Sequence, residues 1–399
     1  MEQNIEVKKF NFEFLYIKII YFLRYFADAM FYSFIAVFLA FIGLKEGLIG
    51  NVQSITTITC LIVNPIWSMV AKNNKISRIL LIILSIIEGT ILILYSNLTT
   101  VEIIMVFTAL MAIVASPYYT LLDGHAAAYC ETHNKLYSNV RVVGSLAYVF
   151  GTALGGILID LIGFTNTFTI SGVLFITVGI MAKFLRSVEK KNNIQESNKV
   201  SFKTIFENKL FIIYAISYLF IVTLSVIGDN YISLLFTKEL GFSVSEYSFI
   251  FSAIGITEVI VMILSGYLFK NKDPHKLILI AGIVYFLRSF IISFTTLPVW
   301  ILIPAACLRG VAWGLILFVH FKYLIQLVGI KNATRAAFVV TAFASIFNFT
   351  VSNFIGYVFE GIGYNYTYKI IAIVILLASI IFFILSKATQ EKMTNHKSV

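Results

Sequence analysis

The feature that most constrains this chain is a series of twelve apolar runs, each long enough to cross a lipid bilayer as a helix. An α-helix needs about 20 mostly apolar residues to span the hydrocarbon core. Runs of about that length, here called spans and numbered in chain order, lie at 15–43, 47–71, 77–96, 101–122, 138–161, 164–186, 209–236, 245–269, 276–296, 298–321, 335–359 and 364–386. They lack the period-two alternation of membrane β-barrels. The sequence therefore predicts an all-α polytopic membrane protein.

The composition agrees with this prediction. Only 13% of the 399 residues are charged, about half of the roughly 25% that soluble domains carry. The first span contains Arg24 and Asp28 and has no small-residue cleavage pattern, so we expect a permanent span and no cleaved signal peptide. The three cysteines are scattered, with no CxxC, so we expect neither a disulfide framework nor a metal site. No cofactor is predicted.

The basic residues are distributed unevenly between the two sides of the predicted spans. With the N-terminus inside, 22 of the 30 Lys and Arg residues fall on inner segments, which include a predicted solvated loop at 123–137. The positive-inside rule then predicts a multi-pass protein of the cell membrane with both termini in the cytoplasm. Anionic inner-leaflet lipid accounts for the net charge of +10, so no nucleic-acid partner is predicted.

A hydrophilic stretch separates six spans from six others. We predict an N-terminal six-helix bundle at 1–186, a cytoplasmic linker at 187–208 and a C-terminal bundle at 209–399. At an offset of 200 residues, GILIDLIGFTNTF aligns with GYVFEGIGYNYTY, which pairs Asp160 with Glu360 and Gly163 with Gly363. Parallel repeats of this kind are typical of transporters with a central site between two halves.

Several short segments carry a family resemblance: Asp123 in YYTLLDGHAAAYC, Arg141 followed by Gly144 and Tyr148, EVIVMILSG from residue 258, and CLRGVAWG from residue 307. With these segments the chain resembles the major facilitator superfamily, and most of all the branch of lactose permease and the nucleoside–proton symporters. The resemblance implies two pseudo-symmetric six-helix bundles that rock around a midplane site. It also implies that Asp123 and Arg141 form a substrate-binding pair, with Tyr148 close by.

The sequence departs from the superfamily pattern in two places. The cytoplasmic signature after span two falls on SMVAKNNKI, where Lys72 replaces the acidic residue. The antiporter signature of span five appears as GTALGG, with Thr152 in place of proline. Gly151 and Gly155 share one face of that span, and we expect them to pack it closely against a neighbouring helix.

Ionisable side chains inside the spans are the main candidates for function, because such groups usually face a bundle interior or an aqueous cavity. The set is Arg24, Arg141, Arg288 and Arg309 against Asp28, Glu88, Asp123, Asp229 and Glu258. Carboxylates exceed arginines by one, and a buried carboxylate without a partner takes up a proton. We therefore expect proton coupling, with Asp229 and Glu258 as leading candidates and Asp28 and Glu88 as further ones.

The remaining charges are candidates for binding and for structure. The predicted substrate-binding residues are Asp123, Arg141, Tyr148, Arg288, Arg309 and Trp313. Arg24 lies four residues before Asp28 on one helix face and is a candidate structural partner for it. Glu88 needs a partner from another helix, and Arg288 and Arg309 need an acid or an anionic substrate between them. We expect all these groups to converge on one aqueous pocket.

These patterns predict a monomeric carrier that moves a sugar, a nucleoside or an organic anion together with protons. An exporter, or antiporter, of amphipathic compounds remains an alternative, and a channel is a third possibility that the two-half repeat disfavours. A membrane-embedded enzyme is not favoured, because the sequence contains no HExxH, GxSxG or comparable arrangement.

Overall fold

The computed structural model describes residues 12–71, 74–185 and 205–395, and these residues form twelve membrane-length helical segments, α1–α12. The single helices are α2 (Glu46–Val70), α3 (Asn74–Tyr95), α8 (Val244–Leu268), α9 (Pro274–Ile292) and α10 (Val299–Val328). Helices α5 and α6 share the stretch Ser138–Ala182, and α11 and α12 share Ile330–Asn395. Most of the predicted linker, 187–204, lies outside the described residues, as does Lys72.

Three helices are interrupted. Helix α1 runs through Phe12–Tyr32 and Ile35–Phe41, and α4 through Val101–Ala115 and Tyr118–Thr132. Helix α7 comprises Lys209–Tyr218, Leu219–Thr223, Leu224–Asp229, Ile232–Leu234 and Leu235–Glu239. Helices α1 and α7, the first helices of the two halves, are thus both interrupted, α1 at 33–34 and α7 at 230–231. The fold class predicted from the sequence is confirmed.

The bends between α5 and α6 and between α11 and α12 are both made at a glycine. Gly163 has φ 81° and ψ 168°, and Gly363 has φ 79° and ψ 172°. Residues with a Cβ atom rarely adopt such a φ, whereas glycine does so easily. The hydroxyl of Thr167 donates to the carbonyl of Gly163, and that of Thr367 to the carbonyl of Gly363. The offset of 200 residues found in the sequence is thus repeated in the backbone.

The two halves meet along α2 with α11 and along α5 with α8. At Gly50 a Cβ atom would lie 2.4 Å from the carbonyl oxygen of Ser352, and at Gly156 it would lie 2.3 Å from Cβ of Ser248. Both close approaches lie near the helix ends remote from the chain termini. We call this part of the molecule the closed face.

Polar contacts surround the close approaches on the closed face. The Glu46 carboxylate accepts hydrogen bonds from Lys238 Nζ at 2.5 Å and from the Tyr364 hydroxyl at 2.8 Å. The Asp160 carboxylate accepts from the backbone N–H groups of Val244 and Ser245, at the first turn of α8. A carboxylate there satisfies amides that a helix N-terminus leaves without partners.

The break in α4 has a local cause. Pro117 has no backbone N–H, so the carbonyl of Ile113 one turn earlier loses its helical donor. The indole Nε1 of Trp67 on α2 donates to that carbonyl at 2.8 Å. The two helices are therefore joined at the point where proline interrupts one of them.

We expect the substitution Trp67→Phe to lower stability, because it removes the donor to the partly buried Ile113 carbonyl. An unsatisfied buried polar group costs about 1–3 kcal/mol, so the melting temperature in detergent should fall by several degrees. Trp300→Phe is the matched control, since Trp300 is 73% exposed. Equal melting temperatures for the two variants would contradict this account.

One sequence prediction about the fold is wrong. The segment 123–137 is not a loop throughout, because α4 continues to Thr132. Asp123 and His125 therefore lie on a helix, and His125 is buried. The alanine-rich run that follows His125 favours helix, and this outweighs the polar residues from which the loop was predicted.

Candidate functional site

A cavity of about 330 Å³ lies between the two halves, where α1 and α5 face α8 and α10. We call it the central cavity. Its walls are formed by Tyr25, Arg141, Ser145, Tyr148, Val149, Thr152, Phe251, Ser252, Gly255, Glu258, Val259, Arg309 and Trp313. The volume lies within the range of small-molecule sites, about 300–1,000 Å³. Five residues predicted from the sequence line it: Arg141, Tyr148, Glu258, Arg309 and Trp313.

A chain of alternating charges leads from the central cavity into the C-terminal half. Glu258 Oε2 lies 3.2 Å from Arg309 Nη1, and Arg309 Nε lies 2.9 Å from Asp229 Oδ2. Asp229 Oδ1 in turn contacts Arg288 Nη2. The acid expected between the two arginines is therefore Asp229. It is the last residue before the interruption of α7 at 230–231, and its carboxylate reaches both α9 and α10.

The side chains in this series of charges differ in burial. The side chains of Glu258 and Arg309 are 26% and 22% exposed, whereas that of Arg288 is only 1% exposed. Glu258 and Arg309 can therefore contact a solute in the central cavity. Arg288 lies behind Asp229 and does not line that cavity, in contrast to the direct binding role predicted for it.

Arg141 stands on the opposite wall, and Asp123 is not its partner. The Arg141 guanidinium lies over the ring of Tyr25, 4.8 Å from the ring centroid. Asp123 Oδ1 accepts a hydrogen bond of 2.6 Å from the Tyr21 hydroxyl. The rings of Tyr21 and Tyr25 stack at 5.8 Å and occupy the space between the two charges. Within the described residues, the ion pair that the family resemblance implied is not formed.

The buried charges of the N-terminal half form a separate group. Arg24 donates to Glu88 through both Nη atoms, at 2.6 and 2.8 Å, and its Nε lies 3.1 Å from Asp28 Oδ2. All three side chains are 0% exposed, and the Tyr119 hydroxyl also donates to Asp28. We call Arg24, Asp28 and Glu88 the buried triad. Glu88 thus has its partner on another helix, α1.

The expected convergence of all the charges on one pocket is not observed. The buried triad is sealed from the central cavity, and it holds two carboxylates for one arginine. The series of ion pairs in the C-terminal half holds two carboxylates and two arginines. The surplus acid inferred from the sequence therefore belongs to the sealed group and not to the charges around the central cavity.

The repeat also relates the ion pairs of the two halves, with the charges reversed. Glu88 on α3 and Arg288 on α9 are separated by 200 positions. Glu88 pairs with Arg24 on the first helix of its half, and Arg288 pairs with Asp229 on the first helix of the other half. Sequence reasoning missed this relation, although the same offset had already been found in the loop segments.

Helix α5 approaches α1 through its glycines. At Gly151 a Cβ would lie 2.5 Å from the carbonyl oxygen of Phe26, and at Gly155 it would lie 3.1 Å from Cα of Met30. Near this contact Ser33 Oγ lies 3.1 Å from Thr152 Oγ1, which replaces the proline of the antiporter signature. The sequence did not single out Tyr25 or Ser252 as wall residues, and only their position on a cavity-facing helix surface could have indicated them.

Within the parts of the chain that the structure describes, no group of three or more His, Cys, Asp or Glu side chains is arranged to hold a metal ion. The side chains that line the central cavity offer two arginines, one carboxylate, several hydroxyls and aromatic ring faces. Such a set can bind polar and anionic groups, can stack against flat rings, and contains one group that can exchange a proton.

Comparisons with solved structures show the same fold. A crystal structure of the nucleoside transporter NupG matches with a TM-score of 0.81 at 15% identity, over 93% of this chain and 98% of that one. A crystal structure of a D-xylose-proton symporter matches with a TM-score of 0.69 at 13% identity, over 92% and 96%. A bacterial homologue of the human lysosomal transporter Spinster, solved inward-facing and unoccupied, matches with a TM-score of 0.71 at 13% identity, over 94% and 96%.

At these identities the structural likeness shows the fold alone, and no curated protein sequence matches the chain. The family is shown by a different comparison. The sequence model of the Major Facilitator Superfamily matches residues 18–352, which is well over half of the chain. That match covers every helix that lines the central cavity. The chain therefore belongs to the Major Facilitator Superfamily.

Proposed function

We propose that the protein is a proton-coupled symporter of a small polar organic solute, which it moves by alternating access. The observation that supports this most is the central cavity between the halves, with Glu258 and Arg309 on its wall. The proposal includes the predicted halves at 1–186 and 209–399, a monomer in the cell membrane, and both termini in the cytoplasm.

The conformation fits one stage of such a cycle. The halves are joined at the closed face, and Arg141, three residues from the start of α5, brings the central cavity close to the face that carries the chain termini. With the proposed orientation, the protein is closed outward and approaches the inward-open state. Release to the other side requires α2 to separate from α11, and α5 from α8.

The walls indicate how a substrate would be held. Arg141 and Arg309 face the cavity from opposite halves and can donate to carboxylate, phosphate or hydroxyl oxygens. Tyr148 and Trp313 offer ring faces, which suit a sugar or a nucleoside. The structural neighbours include a nucleoside transporter and a D-xylose-proton symporter, so a nucleoside or a pentose is a reasonable first probe.

We assign the proton to Glu258. It shares Arg309 with Asp229, so Arg309 keeps an ionised partner when Glu258 is neutral. Protonation of Glu258 therefore does not leave a buried arginine uncompensated, which would cost several kcal/mol. Asp229 is the second candidate, because its protonation would take the ionised carboxylate away from Arg288, which is 1% exposed and pairs with Asp229. Asp28 and Glu88 are sealed in the buried triad, and we rank them below Glu258 and Asp229 as proton-carrying residues.

The test is uptake into proteoliposomes with uridine, D-xylose and succinate as probes. We expect at least one probe to accumulate inside the liposomes when the external solution is more acidic than the lumen. Glu258→Gln should abolish this accumulation but retain exchange of labelled for unlabelled solute, because exchange needs no net proton movement. Glu102→Gln, an exposed acid on α4, is the control. Full proton-driven accumulation in Glu258→Gln would overturn the assignment to Glu258, and the same result in Asp229→Asn would overturn the second candidate as well. Accumulation driven only by the opposite gradient would indicate antiport.

A further inference from the structure

A second cavity lies inside the N-terminal half, between α1, α2 and α4, and has a volume of about 240 Å³. We call it the apolar compartment. Phe31, Ile35, Met111 and Ala112 form much of its wall, and Cys60 of α2 also faces it. It shares no wall residue with the central cavity. Nothing in the function proposed so far uses this space.

The apolar compartment adjoins the central cavity. Tyr119 lines the former and Tyr25 lines the latter, and their ring centroids are 5.1 Å apart. Tyr32 lines the compartment, and the next residue, Ser33, contacts Tyr148 of the central cavity at 3.3 Å. The partition between the two spaces is therefore only one or two side chains thick at both places.

Two helix breaks lie at the compartment, at residues 33–34 of α1 and 116–117 of α4. Interrupted helices commonly build the binding sites of transporters. Tyr32 is the last residue before the first break, and Tyr119 lies two residues after Pro117 at the second.

The buried triad determines the chemistry of the wall. The Tyr119 hydroxyl donates to Asp28, and the Tyr32 hydroxyl lies 3.5 Å from Glu88. Both hydroxyls are thus turned towards the triad, and the two tyrosines present ring faces to the compartment. A polar ligand placed there would give up its hydrogen bonds to water and regain few of them. An uncharged hydrocarbon or aryl group would not incur that cost.

We propose that the apolar compartment is a second part of the substrate site and takes an uncharged aryl or alkyl group of the solute. The polar end of the same solute would remain with Arg141, Glu258 and Arg309. The inference rests on the proposed function, since it assigns both spaces to one substrate. An apolar cavity of about 150 Å³ is sufficient for benzene, so the compartment has room for a ring with substituents.

Cys60 allows a direct test that needs no knowledge of the substrate. A variant with Cys130→Ser and Cys307→Ser retains Cys60, and a second variant with Cys60→Ser and Cys130→Ser retains Cys307 in the other half. Each is treated in detergent with benzyl methanethiosulfonate and with its charged sulfonatoethyl analogue. We expect the benzyl reagent to modify Cys60 about tenfold or more faster than the charged one, relative to the same ratio at Cys307, since burial of an apolar ring is favourable.

A second test fills the apolar compartment with a side chain of the protein itself. Ala112→Phe places a ring in the space, whereas Leu110→Phe places the same ring on the outward side of α4, where Leu110 is exposed. With Cys60 as the sole cysteine, we expect the first variant to abolish benzyl labelling and the second to retain it. Thermal unfolding shows whether each variant is folded. If Ala112→Phe does not fold, the reagent ratio at Cys60 still decides.

Each remaining outcome counts against the proposal. Equal rates for the two reagents, or no benzyl modification of Cys60, would show that the compartment does not accept aryl groups. Protection of Cys60 on transfer to phosphatidylcholine nanodiscs would assign the space to a lipid acyl chain. Because labelling requires no transport, a negative result here is distinguishable from a failure of proton-driven uptake. A positive result would direct the substrate search towards solutes with one polar and one apolar end.

Discussion

Replacement of Arg24 by methionine is expected to prevent stable folding of the N-terminal half. The substitution leaves the carboxylates of Asp28 and Glu88 next to each other without a cation, and both are 0% exposed. Removal of one partner of a buried ion pair costs about 3–5 kcal/mol, which is a large part of the total stability of a typical domain. The melting temperature of the purified protein and its monodisperse fraction on gel filtration are the measurements.

Two further variants make this prediction specific. Lys18→Met removes a cation from the same helix, where it lies over the ring of Phe14, and we expect a small effect. The triple variant Arg24→Met, Asp28→Asn and Glu88→Gln removes all three charges together. It should recover much of the lost stability, because loss of a whole ion group is less costly than breaking it. If Arg24→Met melts at the wild-type temperature, the buried triad does not stabilise the fold.

Gly50→Leu is expected to abolish transport while the protein remains folded. A Cβ at this position would meet the Ser352 carbonyl oxygen at 2.4 Å and the Tyr231 hydroxyl at 2.5 Å, and both belong to the other half. The added side chain therefore prevents the closed face from forming but leaves the packing within the N-terminal half intact. A carrier that cannot close one face cannot complete its cycle, so uptake should fall to the background of empty liposomes.

Gly266→Leu is the matched control, because a Cβ at Gly266 of α8 meets no atom of the described residues within 4 Å. It carries the same change on another membrane helix and should retain uptake. Two spin labels on the closed face, one in each half, would report the conformation directly. For Gly50→Leu we expect a longer distance across the closed face than in the wild type. Normal uptake by this variant would show that the contact between α2 and α11 is not required for the cycle.

The fold could be predicted from the sequence because it depends on signals that are repeated along the chain. Each span is long and apolar, and a helix is the simplest way to satisfy its backbone hydrogen bonds in lipid. The pair Gly163 and Gly363 was visible at the offset of 200 residues. The prediction failed at Asp123, where polar residues suggested a loop but helix propensity and burial extended α4 to Thr132.

The candidate site could be predicted only in part. The sequence identified the ionisable residues at membrane depth, since each of them is rare in such surroundings. It could not assign partners, because pairing depends on which helix faces meet. Asp123 shows this clearly: Tyr21 binds it, and the stacked ring of Tyr25 receives Arg141. No spacing rule distinguishes these tyrosines from the other aromatic residues of α1.

The glycine corners at 163 and 363 have a practical consequence for reagents that recognise folded protein. Two successive helices join there with no intervening loop, so an epitope inserted at either corner would have to push the helices apart. Antibodies or nanobodies raised against this side of the molecule would need to recognise a composite surface made of several helix ends. Such binders would report the relative position of the two halves, and they could serve as sensors of the transport cycle.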